Sequence, residues 1–256
     1  MNPIDPQNSD GASGYPGAPW AVKRALSRGE QLKIPTWGMG DAVIALLGYG
    51  VVGFGVGLFL MSQNIDPQNG WGLVIAFGSP WLLLAGWPIF IAIKKGNGPK
   101  LDYGLTAPRT HLRLGVVVGL ASIAVAGLLA ITIQEITGPF NSAAAEVAMN
   151  QKGLVLIVFA LMAMFGAPIV EEIAFRGLLF GALVKAHISE RWVVVITAGI
   201  FALIHFEPQR FLLLFAIGLL FGELRRRTGS TSAAIVAHII NNTPGALVIL
   251  FSPLIG

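Results

Sequence analysis

The chain has no cysteine, which removes disulfides, thiolate metal sites and a cysteine nucleophile. It is also poor in charge. Asp, Glu, Lys and Arg make up 12% of its 256 residues, about half the share found in an average soluble domain. So few charges cannot cover a water-facing surface of this size. The net charge of +4 is modest, and the basic residues sit between hydrophobic blocks, without the clustered face that nucleic-acid binding needs. No nucleic-acid partner is expected. No apolar core follows a basic start, so the opening residues are not expected to form a signal peptide.

What the sequence has in quantity is apolar length. Hydrophobic residues make up 54% of the chain, and the mean hydropathy is +0.72. The apolar residues come in blocks of about 20, the length that crosses a hydrocarbon core of about 30 Å. These features predict an all-α fold, a polytopic transmembrane helical bundle of about seven to eight helices.

Spans are expected near 38–61, 71–93 and 112–133. The first carries Gly53 and Gly57 at GxxxG spacing, which permits close helix packing. The second contains Pro80 and Pro88, where kinks are expected. The block 153–184 is too long for one straight crossing. Pro168 is expected to split it into a helix ending near Ala167 and another from about Val170 to Lys185. Further spans are expected near 193–206, 211–224 and 232–251, the last breaking at Pro244 and Gly245. Trp37, Trp71 and Trp192 lie near span ends and read as interface anchors. The stretch from Phe211 to Phe221 reads as lipid-facing packing.

Residues 1–36 are turn-rich and poor in aliphatics, so a disordered, basic, cytoplasmic region is expected there. From Trp20 to Lys33 it either lies on the membrane surface or is solvated. Residues 37–256 form the expected transmembrane domain. Taken by expected loop, Lys and Arg number 4, 0, 5, 1, 2, 1, 3 and 0 from the N-terminus onward. The positive-inside rule produces that alternation when each block crosses once. It places the N-terminus in the cytoplasm and the C-terminus outside. Arg225, Arg226 and Arg227 read as a topology stop.

Ionisable residues inside a span cost a few kcal/mol each and are functional candidates for that reason. They fall in three late segments: Glu171, Glu172 and Arg176, then His205 followed by Glu207, then His238, Asn241 and Asn242. On a helix Glu172 and Arg176 face each other four residues apart, whereas Glu171 points about 100° away. Two adjacent carboxylates raise each other's proton affinity, which suits a general base. His205 alone reads as an interfacial residue. His238 and Asn242 share a helix face and alone read as a polar pair, Asn242 also capping the helix before Pro244. Together, a free carboxylate, two histidines and an asparagine are the parts of water activation.

The ordered set Glu171-Glu172-x-x-x-Arg176, Phe201-x-x-x-His205 and His238-x-x-x-Asn242 resembles the CPBP family of intramembrane proteases. These are related to type II CAAX prenyl endopeptidases and to bacteriocin-processing and self-immunity proteins. The resemblance covers residues 150–250, the expected catalytic core. It implies Glu171 as catalytic base, His205 as its partner in holding water, and His238 with Asn242 as an oxyanion site. Glu172 and Arg176 would support the motif, and the resemblance implies that the helical bundle surrounds an intramembrane polar cavity. The implied activity is endopeptidase cleavage of a membrane-associated peptide or protein, by a chain embedded in a bacterial inner (plasma) membrane. Asn241 and Glu207 have no implied role.

Two histidines and a glutamate can also form a zinc site, and its ligands would be Glu171, His205 and His238. His-Glu-x-x-His is absent, and the family resembles glutamate-dependent hydrolases more than zinc enzymes, so no cofactor is expected and zinc is the alternative. Two other function classes stay open. One is a non-catalytic immunity or scaffold protein of the same family. The other is a transporter or proton relay, disfavoured because the polar groups are confined to the C-terminal half.

Overall fold

A computed structural model of the protein describes residues 17–251, and the described backbone is helical with no strand. Residues 1–16 of the expected N-terminal region lie outside that range. The main helices are α1 (Pro19–Ser27), α2 (Met39–Ser62), α3 (Gly70–Lys95), α4 (Arg109–Thr137), α5 (Ala143–Met149), α6 (Gly153–Lys185), α7 (Glu190–Leu203), α8 (Phe211–Thr228) and α9 (Thr231–Phe251). Turn chemistry sets their ends. Asn69 Oδ1 accepts from the Gly70 amide, Ser142 Oγ accepts from Ala145, and α8 stops at Gly229, whose φ of +63° suits glycine.

Five of these helices, α2, α3, α4, α6 and α9, are long and apolar enough to cross a membrane. The chain is an integral membrane protein built as a helical bundle. The expected fifth and sixth spans instead form a shorter hairpin. At 14 residues, α7 extends only about 21 Å, short of a core of about 30 Å. The 18-residue α8 ends in Glu223 and three arginines.

The prolines act differently from expectation. No break divides 153–184, and α6 is continuous for 33 residues. Pro168 follows a wide π-helical turn, Met162–Gly166, and Pro88 follows another, Leu82–Gly86. A wide turn makes room for a ring that would strike a carbonyl in a regular α-helix. At Pro80 the helical pattern is interrupted by a turn, as a kink requires. Pro244 lies inside α9 without ending it. Neighbouring helices hold a transmembrane segment through the loss of one backbone bond.

Helix directions follow from contacts at small residues. Gly48 lies against Leu83 and Gly53 against Pro80, so α2 and α3 are antiparallel. Gly78 lies against Met162 and Gly166 against Trp81, so α3 and α6 are parallel. Gly115 meets Ala233 and Gly119 meets Ala237 and Ile240, so α4 and α9 are parallel and close. Gly218 meets Ala198 and Gly222 meets Val194, making α7 and α8 an antiparallel pair. These directions match those demanded by the loop charges. The GxxxG spacing that matters is Gly115 with Gly119. Gly57, in the expected motif, has open space beside it.

The loops sort onto two faces accordingly. On the basic face, the Lys33 amide donates to Asn97 Oδ1, Lys185 Nζ donates to the Pro35 and Trp37 carbonyls, and Ser230 Oγ donates to the Thr106 carbonyl. On the other face, Gln151 joins the turn at Gln68 and Gly70, and Glu207 accepts from the Ala143 amide.

Two further expectations are corrected. Residues 19–27 are helical, and Val22 and Ala25 are buried with Leu32. Trp37 is fully buried instead of anchoring an interface. Its indole N–H donates to Asp102 at 2.8 Å, and its ring meets Tyr103 edge-on at 5.1 Å. Trp71 and Trp192 remain exposed.

A Cβ at Gly119 would come within 2.8 Å of the Ala237 carbonyl oxygen. Gly119→Ala is therefore expected to destabilise by about 1–3 kcal/mol, read as a lower unfolding midpoint in detergent. Gly127→Ala, with nothing within 4 Å, is expected to leave that midpoint unchanged or raised.

Candidate active site

Glu171 and Glu172 end the α-helical turn Ala167–Glu172, immediately before a second wide turn, Ile173–Leu179. Neighbours on a helix point about 100° apart, so the two carboxylates meet different surroundings. Glu172 has a fully buried side chain, and its Oε1 accepts from Arg176 Nη1 at 2.9 Å. The same oxygen lies 2.9 Å from His238 Nδ1 on α9. Arg176, also fully buried, donates from Nη2 to the Gly218 carbonyl of α8 at 3.0 Å. Its guanidinium lies against Phe175, Phe201 and Phe221, closest to the Phe201 ring at 5.0 Å. Arg225 Nε donates to the Arg176 carbonyl at 3.0 Å. One carboxylate and one guanidinium thus join α6, α8 and α9.

This network sets the tautomer of His238. A carboxylate only accepts, so Nδ1 carries the hydrogen that faces Glu172. Nε2 is left pointing toward Glu171, with Oε2 at 3.8 Å. That separation is too long for a direct hydrogen bond. It leaves both atoms able to meet a common third atom. Phe221 at 5.0 Å and Phe201 at 5.8 Å flank the imidazole. Phe221 is fully buried, so the lipid-facing reading of 211–221 fails there, although Leu212 is exposed. The Glu171 side chain keeps 20% exposure, against none for Glu172.

Asn242 lies one turn beyond His238 on α9. Its Nδ2 donates to the Ala163 carbonyl in the wide turn of α6 at 3.0 Å, which leaves one amide hydrogen uncommitted. Because α9 continues, Asn242 is not a helix cap. Asn241, without an expected role, joins α4 to this region: Ser122 Oγ donates to its Oδ1 at 2.9 Å, and its Nδ2 donates to Asn242 Oδ1 at 3.3 Å. Glu207 pairs with Arg210 and holds the start of α5. Of the three consecutive arginines, Arg225 is buried against Arg176, so it does more than stop translocation.

Neither Asn242 nor His205 is brought into polar contact with the other expected site residues; His205 turns back on its own helix end. Its Nδ1 lies 2.6 Å from the Phe201 carbonyl, which donation from Nδ1–H satisfies and which leaves Nε2 open. It shares the Phe201 ring with His238, at 4.7 Å. Among the described residues, no three His, Asp or Glu side chains lie close enough to hold a metal ion. Glu171, His205 and His238 are not gathered into such a group, and the contact of His238 Nδ1 with Glu172 leaves Nε2 as the ring nitrogen available to water or a metal.

Residues 153–244 match the family model described as type II CAAX prenyl endopeptidase Rce1-like. The family resemblance read from the motifs is shown. The CPBP-like segment contains all six expected site residues. The chain is 25% identical over 173 residues to the membrane-embedded CAAX protease MroQ of Staphylococcus aureus (strain USA300), a match spanning 63% of this chain and 68% of that protein. It is 37% identical over 76 residues to the candidate membrane peptidase YdiL of Bacillus subtilis (strain 168), spanning 30% of this chain and 31% of that one. No solved structure matches.

The two adjacent glutamates are expected to separate in a stability measurement. Glu172→Ala strands the buried Arg176 and should cost about 3–5 kcal/mol. Glu171→Gln, at a partly open carboxylate, should stay within about 1 kcal/mol of the parent. Chemical or thermal unfolding of both variants in the same detergent checks the difference.

Proposed function

We propose that this chain is an intramembrane endopeptidase that hydrolyses a peptide bond with water activated by Glu171. The observation that carries the proposal is the placement of a partly open Glu171 carboxylate 3.8 Å from His238 Nε2, while Glu172 holds the other imidazole nitrogen. A water oxygen that meets both atoms is positioned and polarised, the first requirement of general base catalysis.

In the proposed reaction Glu171 takes a proton from that water as its oxygen adds to the scissile carbonyl carbon. The uncommitted amide hydrogen of Asn242 stabilises the oxyanion, and His238 Nε2 accepts from the remaining O–H of the water that adds. Collapse breaks the C–N bond, and the proton on Glu171 passes to the leaving amine. His205, with Nε2 open, supplies the second imidazole toward water or substrate. Glu172 and Arg176 act as positioning residues, since they hold His238 and have no exposure. The similarity to a CAAX protease supports the reaction class, and the proposed substrate is a membrane-associated peptide or protein. The reaction as written uses no metal or cofactor.

Loss of a general base costs about 10²–10⁴ in rate. Glu171→Gln is therefore expected to leave membrane peptides uncleaved in a deletion strain that the parent chain rescues, with expression and unfolding midpoint unchanged. Full rescue by Glu171→Gln would remove Glu171 as the base.

A further inference from the structure

A second polar space lies at the basic face, apart from Glu171. It is a cavity of about 400 Å³ lined by Trp20 and Lys23 of α1, His111 of α4, Glu190 of α7, and the three arginines that end α8. Every segment that the loop charges place on this face contributes to it. The close seat of α1 on α8 depends on Gly229, where a Cβ would come within 2.7 Å of Pro19 Cδ.

The lining is cationic. Lys23, Arg225, Arg226 and Arg227 face Glu190. Glu223 stands behind Arg226 and Arg227 and bonds both, which leaves two positive charges in excess. Lys23 is exposed and makes no ion pair among the described residues. Two ring nitrogens in the lining, Trp20 Nε1 and His111 Nδ1, are buried without any hydrogen-bond partner. The rings meet each other edge-on at 6.0 Å, so neither serves as the other's acceptor. An indole N–H can only donate, and a buried donor without an acceptor is costly. Excess positive charge beside an orphaned donor calls for an anion with several acceptor oxygens.

We propose that this cavity binds a phosphoryl anion, with Trp20 Nε1–H donating to a phosphoryl oxygen and Lys23 with the α8 arginines supplying the charge. Two sources share that chemistry: the headgroup of an anionic lipid, since the cavity lies among the helix ends that carry the basic loops, and a free phosphate. The site stands independently of the proteolytic reading, because it uses none of the residues assigned to the reaction.

The test uses the purified full chain and its Trp20→Phe and Lys23→Gln variants, with thermal unfolding followed by circular dichroism. A ligand that binds the folded state raises the midpoint in a saturable way. One arm titrates inorganic phosphate in zwitterionic detergent, at ionic strength held constant with chloride. The other compares nanodiscs of phosphatidylglycerol with nanodiscs of phosphatidylcholine, whose choline neutralises the phosphate. A saturable rise with phosphate supports a site open to the free anion. A rise confined to phosphatidylglycerol supports the lipid headgroup. In either case each variant should weaken half-saturation about tenfold, the loss of one charge-assisted contact, with its ligand-free midpoint unchanged. Lys23 is exposed, so its variant folds and keeps the test alive even if Trp20→Phe does not. No rise in either arm, or a rise that Lys23→Gln retains in full, would overturn the proposal.

Discussion

Burying a carboxylate inside a membrane bundle is tolerable only where donors or cations meet it, and Glu172 meets Arg176 and His238 through a single oxygen. Replacing such a network by apolar residues is often neutral or stabilising in proteins, so its presence points to a role in specificity of arrangement. Here the arrangement is plain. Arg176 ties α6 to α8 through the Gly218 carbonyl, and His238 ties α6 to α9. With both held to Glu172, the adjacent Glu171 is left as the carboxylate with solvent access. Adjacent residues thereby divide the labour: one organises the interior and the other is available for chemistry.

Much of this was legible in the sequence because it depends on spacing. Four-residue intervals put Glu172 with Arg176 and His238 with Asn242 on common faces, and both relations hold. The alternation of Lys and Arg between loops gave the relative directions of the helices, since charge placement is decided at the ends and not in the packing. The convergence of Glu172 with His238, 66 residues apart, rests on helix packing that no local period reveals. The family resemblance gave Glu172 only a supporting role beside Arg176, so this contact appears first in the structure.

What escaped the sequence depends on tertiary packing. Proline normally ends a helix, yet Pro168 sits after a wide turn that accommodates it, and such turns leave no clear mark in composition. The span 193–206 met the apolar criterion, but helix length depends on where Glu190 and His205 fall, and the 14-residue result is too short to cross. Trp37 looked interfacial because its partner, Asp102, is 65 positions away. A clue to Gly115 and Gly119 was available in their spacing. It was no stronger than the one at Gly53 and Gly57, and only the approach of α9 distinguishes them.

The dependence of His238 on Glu172 is tested most directly by a double-mutant cycle, with unfolding free energies measured for Glu172→Gln, His238→Gln and the combination. If Glu172 holds the imidazole, the two changes are expected to be coupled by about 1 kcal/mol or more. Additivity within about 0.3 kcal/mol would contradict the interaction on which the geometry of the site depends.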